Sequence, residues 1–191
     1  SVTYEDFVLG LSPDTTDQQL RFRVRKGALL EASAAAGSEP YLLVIDELNR
    51  ADLGKVLGEA IYLFEAGEVG GANPREVRLP HSVDGETVFK LPKTLYVLGT
   101  MNTSDRSIAS LDLAIRRRFA FVSVPPDRSA IVQHSHPKAV EYFDSIADVF
   151  VEHAPDEALD LLPGQAYFLA KDLSTLNNRM RYELIPLLDD Y

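Results

Sequence analysis

Residues 41–45 read Tyr-Leu-Leu-Val-Ile, an apolar run with no polar alternation, and Asp46 and Glu47 follow at once. Such a run predicts a strand covered on both faces, as in a parallel sheet flanked by helices. Residues 94–102, TLYVLGTMN, have the same character and again end in polar groups. Each run leads into a helical pattern. After the first, Leu53, Val56, Leu57, Ala60, Ile61 and Phe64 recur at helical spacing up to Gly67; after the second comes IASLDLAIRRR. Strands alternating with helices predict an α/β core built on a parallel sheet. FAFVSV, residues 119–124, predicts a third strand, stopped by Pro125 and Pro126.

The remaining segments fill in around that core. GALLEASAAA, 27–36, predicts a short helix stopped by Gly37 and Pro40, and RFRVRK, 21–26, a strand with a solvated basic face. Residues 1–20, with the turn-rich LSPDTTDQ, predict a surface loop. VRL and TVFKL around Asp84-Gly85 predict a hairpin bounded by Pro80 and Pro92. From residue 127 the patterning is helical, which predicts a core over 1–126 and a small helical unit over 127–191.

Composition narrows the possible functions. The chain has no cysteine, so disulfides and Cys-ligated zinc are excluded. Its net charge of −10, from 19 basic and 29 acidic residues, argues against a general nucleic-acid binder. No signal peptide and no membrane-spanning run is legible, so the expected location is cytoplasmic. His134 and His136 are spaced to chelate, but without a third ligand nearby they read as loop residues.

In a parallel sheet ligands gather beyond the carboxyl ends of the strands, where both apolar runs deliver polar groups. Asp46 and Glu47 suit a magnesium-nucleotide site: one carboxylate can hold Mg²⁺ through its waters, the other orient or deprotonate an attacking water. An acidic helix cap accounts for the same pair. Asn102 is placed to hydrogen-bond a γ-phosphate or that water, with Asp105 close behind; a turn residue and a helix cap account for these two as well. Arg116, Arg117 and Arg118 suit the negative end of a helix dipole. Consecutive helical residues nevertheless fan out by about 100°, so the three cannot share a face. An outward member could stabilise charge on a neighbour's transferring phosphoryl group.

LLVIDELNRADLGKVLGEAIYLFE, YVLGTMNTSDRSIASLDLAIRRRFAF and GQAYF…YELIPLLDDY, together with the opening TYEDFVLGL, resemble the McrB-type AAA+ motor subunits of modification-dependent restriction systems. The resemblance extends over nearly the whole chain. It implies a partial AAA+ P-loop NTPase core followed by a helical lid. It makes Asp46 the Walker B ligand of Mg²⁺, Glu47 the water-activating residue, and Asn102 the sensor-1 residue supported by Asp105. Arg117 and Arg118 become fingers acting across a subunit boundary, and Gln165 and Tyr167 fall in the lid segment near the nucleotide. It further implies GTP or ATP as substrate, a homo-oligomeric ring, expected to be hexameric, a McrC-like nuclease partner, and DNA contacts through other domains or partners.

No stretch of the 191 residues reads G-x-x-x-x-G-K-[S/T], the loop whose backbone N–H groups and lysine cradle phosphates. The expectation is a fragment starting after that loop, inactive by itself and binding no nucleotide or Mg²⁺. Two other readings share parts of the pattern. A MoxR-like AAA+ chaperone ATPase would share the acidic strand end, and a non-catalytic scaffold subunit of an AAA+ ring would supply fingers alone.

Overall fold

A computed structural model of the chain describes residues 2–14, 21–65, 67–102, 111–155 and 161–189. The chain divides into two compact units, Ser1–Phe121 and Val122–Tyr191, each with its own apolar core.

The first unit opens with a one-turn helix, α1 (Tyr4–Phe7). The Thr3 side chain accepts from the Asp6 N–H, and the Asp6 carboxylate accepts from the Thr3 N–H. Phe7, Val8 and Leu9 enter the core. Instead of the expected loop, β1 (Leu9–Asp14) pairs antiparallel with β2 (Arg21–Lys26), Leu9 opposite Lys26 and Asp14 opposite Arg21. Arg23 and Arg25 lie on that ladder, bonded to Asp14 and Asp6, so the basic stretch is neutralised locally. Gly27 caps α2 (Ala28–Ala36), which buries Leu29, Leu30, Ala32 and Ala36.

The two apolar runs form the expected parallel pair. β3 (Tyr41–Ile45) and β6 (Leu95–Gly99) lie in register from Tyr41 opposite Leu95 to Ile45 opposite Gly99. One face, Leu43, Ile45, Leu95 and Val97, packs into the core. The other face differs from expectation: Leu42, Val44, Tyr96 and Leu98 are each more than half exposed. An unbroken apolar run therefore marks a strand able to be covered twice, and the described residues cover it once. Nor do residues 119–124 form a third strand. Phe119 stacks on Phe64 at 5.5 Å, while Phe121, Val122 and Val124 are exposed and join no ladder. Apolar alternation yields a strand where a neighbouring edge takes up its hydrogen bonds, and none does so here.

The helix predicted after Asp52 is split. Asp52 caps α3 (Leu53–Leu57), Gly58 adopts φ +50°, and a 3₁₀ helix runs from Gly58 to Phe64. The tighter three-residue period buries Leu57, Ala60 and Leu63 in turn, while the expected Phe64 is buried and Ile61 packs partly buried against the core. The hairpin forms from β4 (Val77–Val83) and β5 (Glu86–Phe89), turning at Asp84 and Gly85, both with positive φ. Pro80 falls inside β4, in the stretch where the register shifts between Arg78 and Val83. The unit ends with α4 (Leu113–Arg116), capped by Asp112.

The second unit is helical, with α5 (Arg128–His134), α6 (Pro137–His153), α7 (Leu173–Arg179), a π turn over Met180–Leu184, and α8 (Ile185–Asp189). Phe168, from a 3₁₀ turn over Gln165–Phe168, is fully buried and meets Phe143 edge-on at 5.3 Å. Asp127 and Asp172 cap α5 and α7, and hydrogen bonds from Ser129 and from Thr175 respectively hold their carboxyls below the usual carboxylate range. Part of the acidic excess is thus structural. No helix among the described residues is long and apolar enough to cross a membrane.

Gly27 makes the closest approach to backbone among the described glycines of the first unit. Its N–H donates to the Val8 carbonyl at 2.8 Å, and a Cβ there would stand inside contact distance of the Phe7 carbonyl carbon and the Val8 nitrogen. Gly27→Ala should cost about 1–3 kcal/mol through forced backbone displacement, whereas Gly164→Ala, with nothing within 4 Å, should be nearly neutral. Urea unfolding of the two variants checks this, equal stabilities counting against it.

Candidate active site

β3 and β6 end side by side, which places Asp46 and Thr100 at adjacent positions one step beyond the ladder. Backbone bonds carry the pairing past the last strand residues. The Thr100 N–H donates to the Ile45 carbonyl at 2.9 Å, and the Leu48 N–H donates to the Thr100 carbonyl at 2.8 Å. The Thr100 hydroxyl donates to Asp46 Oδ1 and accepts from the Glu47 N–H at 3.2 Å. Glu47 itself turns the chain with φ +53° and ψ +47°, a left-handed conformation uncommon for a residue with a side chain.

Around this corner the carboxylates face outward. Asp46 and Glu47 are both exposed. Neither caps a helix through its side chain; Asp52 does that, accepting from the Lys55 N–H at 3.2 Å. The helix-cap account of the acidic pair therefore fails. The Glu47 carboxylate meets Arg50 Nε at 3.1 Å, both side chains at least half exposed. An exposed pair of this kind contributes about 0–1 kcal/mol, too little to lock the carboxylate in place.

Asn102 is exposed, and its backbone carbonyl accepts from Asn49 Nδ2 at 3.0 Å. Asn49 thereby joins the turn after β3 to the segment after β6, with its own Oδ1 buried and unpartnered. Asp105 lies outside the described residues.

The three arginines separate clearly. Arg118, expected to be a finger, turns inward with its side chain 10% exposed. One terminal nitrogen donates to the Ala114 carbonyl at 2.6 Å, the other lies 3.4 Å from Glu65, and the guanidinium stacks over Tyr62 at 5.4 Å. Glu65 also faces Arg75 at 3.8 Å, and Arg75 pairs with Glu68, so Arg118 belongs to a four-residue ionic chain. A side chain held at three points inside its own unit is unsuited to reaching a neighbour. Arg116 leans on the Phe121 ring. Arg117 is exposed, its N–H bonded to the Leu113 carbonyl and its side chain without a partner among the described residues.

In the second unit, Gln165 Oε1 accepts from the Asp127 N–H at 3.2 Å, and Tyr167 packs against the core. Both have local structural work. His136 caps α6 through Nδ1, and no cluster of three or more potential metal ligands occurs among the described residues. A protein cage for a metal is therefore not present among them. An exposed carboxylate beside a hydroxyl fits Mg²⁺, which takes one or two protein oxygens and keeps waters and phosphates for the rest.

Comparison with known proteins adds the decisive observation. The pattern of the AAA domain family, dynein-related subfamily, matches residues 1–119. The chain belongs to this family. As an AAA domain it is 32% identical, across its whole length, to 45% of the Escherichia coli "Type IV methyl-directed restriction enzyme EcoKMcrB subunit". It is also 28% identical, over 42% of its length, to 26% of the Bacillus subtilis "Type II restriction enzyme BsuMI component YdiS". The chain thus spans less than half the length of these curated relatives.

Asp46, Glu47 and Asn102 stand out in the sequence, whereas Thr100 and Arg50 do not. A hydroxyl directly after an apolar strand was a visible signal, but its position opposite Asp46 depends on a register that pattern alone does not give.

The contrast between neighbouring arginines is measurable. Arg118→Ala should lower stability by roughly 1–3 kcal/mol, since a charged hydrogen bond is lost in a mostly buried setting. Arg117→Ala should change it by less than about 0.5 kcal/mol, as for exposed positions generally. Thermal unfolding that ranks the two the other way would contradict the assignment of Arg118 to the fold.

Proposed function

We propose that this AAA domain is the hydrolytic portion of a nucleoside-triphosphatase motor, using GTP or ATP, that serves a restriction system. The observation that carries the reading is the common corner of β3 and β6, where Asp46 and Glu47 are bonded to Thr100 and Asn49 ties their turn to the Asn102 backbone, at the carboxyl edge of a parallel pair. Family membership supports nucleotide chemistry, and the two restriction-enzyme relatives support the biological setting.

In this reading Asp46 would hold Mg²⁺. When bound, the ion would neutralise charge on the β- and γ-phosphates. Glu47 orients and deprotonates the attacking water; its weak tie to Arg50 leaves it free to do so. The Asn102 amide holds the γ-phosphate or the water, with Asp105 in support. Arg117 is the residue offered to a neighbouring subunit's nucleotide in a ring, expected to be a hexamer, and Arg118 fixes the segment that carries it. Residues 127–191 act as the lid. The phosphate cradle is not among these residues, so the chain by itself should not turn over nucleotide. A nuclease partner would cut DNA under the motor's control, with DNA contacts made by other domains or by that partner.

The test is made in a chain that carries these residues together with a phosphate-binding loop. Glu47→Gln keeps shape and hydrogen-bonding capacity while removing the base. Nucleotide affinity should be unchanged and turnover reduced about 10²- to 10⁴-fold, the range of general-base catalysis. Unchanged turnover would overturn the assignment.

A further inference from the structure

Thr100 is bonded to the end of β3 at four consecutive residues. Its N–H and carbonyl reach Ile45 and Leu48, and its hydroxyl reaches Asp46 and the Glu47 N–H. A hydroxyl has one proton to give and lone pairs to receive. Donating to Asp46 therefore leaves it able to accept from Glu47 at the same time. The arrangement has a direction: it requires an acceptor oxygen on Asp46 and turns that carboxylate toward β6. It also holds the backbone N–H of the residue with the least favourable conformation at the site.

Left-handed backbone is disfavoured for a residue with a side chain, so Glu47 needs an external restraint to keep φ at +53°. The Arg50 pair is too weak and too exposed to supply one. The Thr100 bonds on either side of Glu47, at its own N–H and at that of Leu48, are suited to this. We infer that Thr100 is a positioning residue for hydrolysis, one hydroxyl setting the direction of the Asp46 carboxylate and the left-handed turn that aims Glu47. The inference rests on the nucleotidase reading, and it adds a residue whose role is geometric: it touches neither water nor phosphate.

Thr100→Val removes the hydroxyl and keeps the shape, and Thr100→Ser keeps the hydroxyl. Turnover of MgGTP and MgATP is measured for both in a chain carrying a phosphate-binding loop, beside Glu47→Gln. Thr100→Val should lower kcat about 10- to 100-fold, the usual effect of removing a supporting hydrogen bond, with KM within twofold of the parent. Thr100→Ser should restore kcat to within about threefold on the same scale. In the 191-residue chain, the Glu47 HN–Hα coupling and Cα shift should report a left-handed residue in the parent and in Thr100→Ser, and its loss in Thr100→Val. Parent-like kcat in Thr100→Val while Glu47→Gln is inactive overturns the inference and leaves the nucleotidase reading standing. A fall in kcat that Thr100→Ser fails to restore, or one with Glu47 still left-handed, also overturns it. Full activity of Glu47→Gln instead removes the nucleotidase reading itself.

Discussion

The parallel ladder between β3 and β6 is the constraint on which the rest depends. Its register, Ile45 opposite Gly99, sets Asp46 opposite Thr100 and so decides which polar groups meet. A slip of one residue would reverse every side chain on the strand, sending Leu43 and Ile45 out of the core and Leu42 and Val44 into it. Burial of Leu43, Ile45, Leu95 and Val97 on a single face thus fixes the chemistry at the strand ends. Core packing and site geometry are two consequences of the same pairing.

The arginine segment shows a similar economy. Phe119 stacks on Phe64, and Arg118 is tied to Ala114, Glu65 and Tyr62, so the chain is pinned directly after Arg117. Ile115, 4% exposed, pins it before. Arg117 is left between two anchors with its guanidinium outward. A cation displayed on a rigid support loses less conformational entropy when it meets an anion than one on a free loop. The ionic chain through Glu65, Arg75 and Glu68 therefore bears on the display of Arg117 without touching whatever Arg117 meets.

Much of this was legible in the residues because it follows from local rules. The apolar strands, the Asp84-Gly85 turn and the Gly37 stop of α2 all emerged where periodicity and turn chemistry place them. The misses share one cause: they depend on neighbours distant in sequence. Residues 9–14 became a strand because β2 offered an edge, whereas 119–124 found none. The helix after Asp52 broke at Gly58, where a side chain would press on the Tyr4 ring. At the site, Asp46 and Glu47 were conspicuous as charges after an apolar run. Thr100 was inconspicuous until register placed it, and Arg118 looked equivalent to Arg117 until Glu65 and Tyr62 were found against it.

The proposed motor reading draws on two exposed features, the acidic corner at Asp46 and Glu47 and the Arg117 side chain. The most direct measurement mixes two inactive subunits, Arg117→Ala and Glu47→Gln, in rings assembled from chains that carry a phosphate-binding loop, and follows nucleotide turnover. If Arg117 acts across the subunit boundary, some interfaces pair an intact Arg117 with an intact Glu47, and activity returns in the mixture. Activity that stays near zero, with mixed rings demonstrated by mass, would contradict the account.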